Sequence, residues 1–276
     1  VLSLPVASID SKHQKEQAMP FVDVGELRTH YAVAGDKEPV LVLSNSLGTD
    51  FSMWDPQMTE LERSFRILRY DTRGHGKSSV TPGDYTIEQL GRDVLGLLDS
   101  LGLDRVHFCG LSVGGMIGIW LGIHAPTRLH RLVLCNTAAR IGTEEMWNAR
   151  ITTVRESGMK SVASVVIERW FTPEFRASFP EKAAQAQQML ENSPPEGYAA
   201  CCAAIRDMDQ REAVAEITVP TLVIYGGSDS VIPPADSHFL SNRIRGAAEV
   251  ELSAAHLSNV EQASAFTQAV SNFLSK

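Results

Sequence analysis

A serine hydroxyl becomes a nucleophile at neutral pH only when a histidine takes its proton and an acid orients that histidine. The run Gly110-Leu111-Ser112-Val113-Gly114-Gly115 has the spacing to present such a serine. It follows the apolar stretch Val106-His107-Phe108-Cys109 and opens an apolar stretch reaching His124, the strand, turn and helix context that G-x-S-x-G requires. In that sharp turn the serine holds a strained backbone, and side chains two residues before and after it would collide. Glycine at 110 and 114 removes both collisions. The plainer reading of these glycines is tight helix–sheet packing, and the strand and helix around them decide against it.

With this kind of turn, the acid and then the histidine follow the serine along the chain. Of the eight histidines, His13, His30, His75 and His107 precede Ser112, His124 and His130 flank a helix-to-strand loop, and His238 sits in a helical stretch. His256 follows the last expected strand, in Ser253-Ala254-Ala255-His256-Leu257-Ser258, and is the expected base. Asp229 follows the expected strand 221–225 in Gly226-Gly227-Ser228-Asp229 and is the expected acid, although Gly-Ser-Asp would also suit a plain turn. Its rivals Asp207, Asp209 and Asp236 fall in helical segments.

Acyl transfer also needs two backbone N–H donors for the oxyanion, one from the residue after the nucleophile and one from the loop after the third strand. The first is Val113. The second comes from Ser44-Asn45-Ser46-Leu47-Gly48 and is assigned to Leu47, with Ser46 as the alternative. A further run, Asp71-Thr72-Arg73-Gly74-His75-Gly76-Lys77-Ser78, ends like a phosphate loop but has Asp71 where that motif needs its first glycine. It is expected to be a structural turn, with Arg73 and His75 hydrogen-bonded near the active-site floor.

The elements that position these residues are legible as short, β-branched apolar runs separated by helical segments, the pattern of a parallel sheet covered on both faces. Strands are expected at 40–44, 66–70, 106–110, 132–136, 221–225 and 249–252, preceded by an antiparallel edge hairpin at 21–24 and 27–34. Helices are expected at 86–101, 113–124, 235–244 and 260–274, from apolar residues three and four apart. The stretch between Asn136 and Thr221 is too long for one crossover and reads as several helices, with Pro194-Pro195 separating two of them. The expected organisation is a tail over 1–18, a core over 19–137, a helical cap over 138–216 and the rest of the core over 217–276.

At 276 residues, with 43% hydrophobic and 21% charged residues, the chain suits one large α/β domain carrying an insertion. No apolar run of about eighteen residues and no basic-then-apolar leader is present, so a soluble, cytoplasmic protein that does not enter membranes is expected. The net charge of −8, without a Lys/Arg cluster, argues against nucleic-acid binding and means that an anionic substrate must meet a local cation. The four cysteines lack metal-ligand spacing and read as reduced core residues. No metal is expected.

With these residues placed, the chain beyond its tail resembles the α/β-hydrolase family. The resemblance implies an α/β fold with an eight-stranded, mostly parallel sheet, flanking helices and a helical cap. Within that family, three runs are similar to the 3-oxoadipate enol-lactonase subgroup of the β-ketoadipate branch of aromatic degradation. They are Leu43-Ser44-Asn45-Ser46-Leu47-Gly48-Thr49-Asp50, Arg69-Tyr70-Asp71-Thr72-Arg73-Gly74-His75-Gly76 and Cys135-Asn136-Thr137-Ala138-Ala139-Arg140-Ile141-Gly142. The first matters most, because most relatives have His-Gly where this chain has Asn45-Ser46.

The resemblance implies opening of an anionic enol lactone with a carboxymethyl arm, through an acyl-enzyme on Ser112 and without metal or organic cofactor. Val113 departs from the methionine usual in that subgroup, which alters a pocket wall more than a backbone donor. Arg140 and Trp147 are the expected groups for the substrate carboxylate and the ring, against the plainer reading of a surface ion pair and a cap-core aromatic. Homo-oligomer formation is left open. A general carboxylesterase or a carbon–carbon bond hydrolase would use the same triad, and a non-catalytic receptor on this fold would not need it intact. The loop 44–48 argues against carbon–carbon cleavage, whose enzymes have a glycine-rich loop there.

Overall fold

The computed structural model describes residues 20–276. The tail expected over 1–18 lies outside the described residues. From Pro20 onward the chain forms β1 (Phe21–Val24), β2 (Leu27–Ala34), β3 (Val40–Ser44), α1 (Asp55–Leu61), β4 (Arg66–Tyr70), α2 (Ile87–Ser100), β5 (Val106–Leu111), α3 (Val113–His124) and β6 (Leu129–Cys135). Only helices follow before the next strand: α4 (Glu144–Ser157), α5 (Lys160–Trp170), α6 (Pro173–Ser178), α7 (Pro180–Glu191), α8 (Pro195–Asp207) and a 3-10 turn at Ala213–Glu216. The chain closes with β7 (Thr221–Gly226), α9 (Pro234–Arg243), β8 (Ala248–Leu252), α10 (Ser258–Glu261) and α11 (Ala263–Leu274).

The expected eight-stranded sheet is present, in the order β1-β2-β4-β3-β5-β6-β7-β8. β1 pairs antiparallel with β2, and β2 with β4, while every pair from β4 to β8 is parallel. β3, β5 and β7 are buried along their whole length, as strands covered on both faces must be. α3 is buried on nearly every side, between the sheet and α2, which explains its unbroken apolar run. β3 lies between β4 and β5, so the connections leaving the ends of β3 and β5 diverge and open a crevice above them.

Three elements differ from the sequence reading. α1 was not read from the sequence because its seven residues are too few for a helical period to show. β6 starts at Leu129 and ends at Cys135, leaving Asn136 outside the strand with φ 45°. The helix expected over 260–274 is broken at Gln262, because the turn before it is anchored by side chains. Ser258 donates to Asn136 Oδ1 at 2.6 Å and Asn259 to Met53 O at 2.9 Å.

Two junctions fix the helical insert on the core. Gly74, at φ 75°, meets Gly197 of α8 so closely that a Cβ on Gly197 would sit 2.0 Å from Gly74 O. At the other junction, Leu257 N–H donates to Trp170 O at 3.0 Å, and Glu261 accepts from Ala255 N–H at 2.9 Å and from the Thr172 N–H and hydroxyl. The run 71–78 therefore differs from its expected place at the active-site floor, being a seat for α8. Arg73 turns away to bond Asp93 at 2.8 and 2.6 Å and Thr81 at 2.8 Å, while His75 Nδ1 meets Arg73 O at 3.2 Å. The Asp71 carboxylate accepts the Lys77 N–H at 2.9 Å, a loop donor that a phosphate would need.

All four cysteines are free and buried. Among the described residues, no helix is long and apolar enough to cross a membrane.

Arg73 is 4% exposed and its partner Asp93 12%, whereas its other carboxylate partner, Glu26, is 69% exposed. Asp93→Ala is expected to cost about 3 kcal/mol or more by stranding a buried charge, and Glu26→Ala less than about 1 kcal/mol. Urea unfolding of both variants measures the difference. Burial also pushes His75 down to about 4, and His107 in the same direction. In the unfolded chain His75 takes its proton near 6.5, so stability is complete above that pH and falls as pH drops toward 4. His75 alone contributes up to about 3 kcal/mol to this decline. Urea midpoints near pH 7 and near pH 4.5 are expected to differ less for His75→Gln than for the unsubstituted protein.

Candidate active site

At the end of β5 the chain must reverse into α3 within one residue, and Ser112 takes that position with φ 58° and ψ −117°. Such a backbone costs about 1–3 kcal/mol for a residue with a side chain. Neighbours hold it there: Ser112 N–H donates to Cys135 O at 2.9 Å, and Ser112 O accepts from Thr137 Oγ1 at 2.7 Å and Met116 N–H at 3.0 Å. A Cβ on Gly110 would lie 2.1 Å from Gly114 O, and one on Gly114 would lie 2.3 Å from Ser44 O. The two glycines are thus required by close approach on both sides of the serine.

His256 hangs from the loop after β8, and its Nδ1 lies 2.8 Å from Asp229 Oδ2, with both side chains almost fully buried. Asp229 sits in the loop after β7, where its Oδ1 accepts from Val231 N–H at 2.8 Å and Ile232 N–H at 2.9 Å. Its Oδ2 also accepts from Asn136 Nδ2 at 2.9 Å. Burial alone would raise the Asp229 carboxyl. The charge and hydrogen bond of His256, with the Asn136 and Ile232 donors, outweigh it and hold the group below the usual carboxylate range.

The loop after β3 runs beside the start of α3, with Gly114 N–H donating to Asn45 O at 3.0 Å. Asn45 is itself fixed, donating to Tyr70 O at 2.8 Å and accepting from Trp54 Nε1 at 2.9 Å. Ser46 N–H faces Met53 Sδ at 3.3 Å. Among the described residues, no protein acceptor engages the N–H of Leu47 or of Val113. Of the two alternatives in this loop, the Ser46 N–H thus has a partner and the Leu47 N–H has none among the described residues.

A cavity of about 360 Å³ lies over Ser112 and His256, between the sheet ends and the helical insert. Leu47 and Met116 line it from the core, and Trp147, Val166, Trp170 and Ile205 from the insert. Trp147 is buried with one side on the cavity, its Nε1 donating to Ile141 O at 2.9 Å. Arg140 lines the cavity too, but its side chain is 41% exposed and donates to Asp209 at 3.2 Å, a carboxylate that Arg211 also binds. Two arginines that sequence reasoning missed share the wall, Arg150 and Arg169. Arg150 donates to Tyr198 OH at 3.2 Å and Arg169 to Ser230 O at 2.5 Å. Among the described residues, neither has a carboxylate partner. Arg150 was findable, since it lies three residues after Trp147 and so on the same face of α4. Asp236 completes the charged lining, its carboxyl pushed up by burial and by the charge of Asp229.

Among the described residues, no cluster of three or more His, Cys, Asp or Glu is placed to hold a metal ion.

A sequence profile described as the alpha/beta hydrolase fold matches residues 39–263. The chain belongs to that family. The hydrolase is 43% identical over 246 residues to a protein named 3-oxoadipate enol-lactonase 2 from Acinetobacter baylyi, covering 89% of this chain and 92% of that one. It is 40% identical over 239 residues to 3-oxoadipate enol-lactonase 1 from the same organism, covering 87% and 90%. The crystal structure of the enol-lactonase from Burkholderia xenovorans LB400 superposes on it with a TM-score of 0.92 at 46% identity, covering 93% of this chain and 100% of that one.

A hydrolase with this geometry is expected to depend on Ser112 and His256 as one unit. Ser112→Ala is expected to keep the fold, seen by circular dichroism, and to lose about a thousandfold or more in kcat on a p-nitrophenyl ester. The Ser112→Ala/His256→Ala pair is expected to be little slower than either single variant. Losses that multiply would mean the two side chains act separately.

Proposed function

We propose that this hydrolase opens 3-oxoadipate enol-lactone to 3-oxoadipate, with residues 138–216 acting as a cap over the reacting serine. The observation that carries the reading is the cavity itself, which joins Ser112 and His256 to two guanidiniums without carboxylate partners among the described residues. A lactone carbonyl needs the first pair, and a carboxymethyl arm in an acidic protein needs a cation. The enol-lactonase names of the relatives agree with this substrate class.

His256, held by Asp229, takes the Ser112 proton as Oγ attacks the lactone carbonyl, and the N–H groups of Val113 and Leu47 receive the oxyanion. Collapse of the tetrahedral adduct breaks the ring C–O bond. The departing enol oxygen takes the proton from His256, and the enol becomes a ketone while its acyl chain stays on Ser112. That conversion makes the ring opening hard to reverse. Water then gives a proton to His256 and attacks the acyl carbonyl, and Ser112 recovers its proton as the diacid leaves. Apolar walls from Trp147, Val166 and Trp170 hold the ring and restrict water.

Arg150 is the better carboxylate partner, because the charge of Arg140 is already shared with Asp209. Arg150→Ala is expected to lower kcat/KM for the lactone by about 10–100-fold, the range for a lost charge-assisted hydrogen bond, while a neutral phenyl ester changes by less than about threefold. Arg140→Ala is expected to do less. Parallel kcat/KM measurements on the two esters decide this. Equal losses on both would remove the carboxylate clamp, and a wild-type preference for the phenyl ester would replace the lactonase reading with a general esterase.

A further inference from the structure

Asn136 is fully buried, yet its side chain spends every polar atom on the loops that carry the acid and the base. Its backbone leaves β6 at φ 45°, a conformation asparagine tolerates better than most residues, and its N–H is fixed by Ile224 O at 2.8 Å. This turn sends the carboxamide across the ends of β7 and β8. Nδ2 donates to Asp229 Oδ2 at 2.9 Å and reaches Ala255 O at 3.3 Å, while Oδ1 accepts from Ser258 Oγ at 2.6 Å. One amide therefore touches the acid, the residue before His256, and the residue two beyond it.

We propose that Asn136 is a positioning residue for the Asp229–His256 pair, fixing the plane of the carboxylate and both ends of the histidine loop at once. The inference rests on the triad reading of Ser112, Asp229 and His256. With Asn136 in place, each Asp229 oxygen has two donors, Val231 and Ile232 N–H on Oδ1, and His256 and Asn136 on Oδ2. The carboxylate then has no freedom to rotate away from the imidazole. A neutral amide suits this task better than an ion would. A cation here would compete with the imidazolium for Asp229, and a second carboxylate would be repelled by it. An apolar side chain of equal size would fill the space but strand the Ser258 hydroxyl and the Ala255 carbonyl. Asn136 is not part of the cavity lining, so it offers no direct contact through which to change substrate binding.

The test compares Asn136→Ala and Asn136→Asp with the unsubstituted hydrolase, on the lactone and on a p-nitrophenyl ester, normalised to folded protein by circular dichroism. Asn136→Ala is expected to lower kcat by about 10–100-fold on both substrates, as loss of an orienting group does, with KM within about twofold. Asn136→Asp is nearly the same shape but donates to Asp229 only while it keeps its proton. Its kcat relative to wild type is therefore expected to fall as pH rises from about 6 to about 8.5. If Asn136→Ala fails to fold, the Asp variant carries the test alone. A kcat for Asn136→Ala within about threefold of wild type overturns the inference, as does a loss confined to KM or to the folded fraction. So does an Asn136→Asp profile that tracks wild type at every pH. Wild-type turnover of the phenyl ester without turnover of the lactone would sink the lactonase reading and leave this inference to be decided on the ester.

Discussion

At Ser112 the backbone sits where a residue with a side chain rarely goes, and much of the surrounding architecture exists to keep it there. The strain holds only because Cys135, Thr137 and Met116 each grip the serine's own peptide groups. The same constraint forces Gly114 onto Ser44 O and Asn45 O, which draws the end of β3 against the start of α3. That contact brings the backbone around Leu47 and Val113 to one place. The strained turn at Ser112 and the meeting of these two backbones are thus two results of a single close approach. The N-terminus of α3, with its positive dipole end, lies at the same point and favours negative charge there.

Charge is distributed with a similar economy. The protein carries a net charge of −8, yet the cavity wall gathers Arg140, Arg150 and Arg169. Of these, only Arg140 has a carboxylate partner among the described residues, so an anion entering the cavity meets local positive charge within a negative molecule. Arg150 and Arg169 are half-buried, where such an interaction is stronger than it would be in open water. Asp229 is kept charged in a buried site by four donors, and the nearby Asp236 carboxyl is pushed the other way.

What could be read from the sequence was what short patterns encode. Ser112 announced itself through flanking glycines between a strand and a helix, and Asp229 and His256 through their places just beyond strands. Leu47 was assigned with Ser46 as its alternative, and what sets their N–H groups apart is not local, since Met53 Sδ reaches Ser46 N–H only in the fold. Asn136 looked like the last residue of a strand, since nothing local marks its positive φ. Gln262 breaks a helix that its sequence would continue, because Ser258, Asn259 and Glu261 answer to Asn136, Met53 and Thr172, far along the chain. Arg150 and Arg169 face the serine only through the way five helices fold back over the sheet.

The Glu261 junction bears on how such a chain can diversify. One carboxylate joins Thr172, at the turn between α5 and α6, to Ala255, directly before His256. The loop that presents the imidazole is therefore suspended partly from the insert that shapes the pocket. A sequence change that moved the α5–α6 corner would displace the His256 loop along with the pocket wall. Substitutions on α4, whose Trp147 and Arg150 face the cavity without holding that loop, could reshape selectivity and leave the chemistry in place. Change in the shape of the pocket is thereby channelled toward one wall, while the opposite wall is tied to the loop of His256.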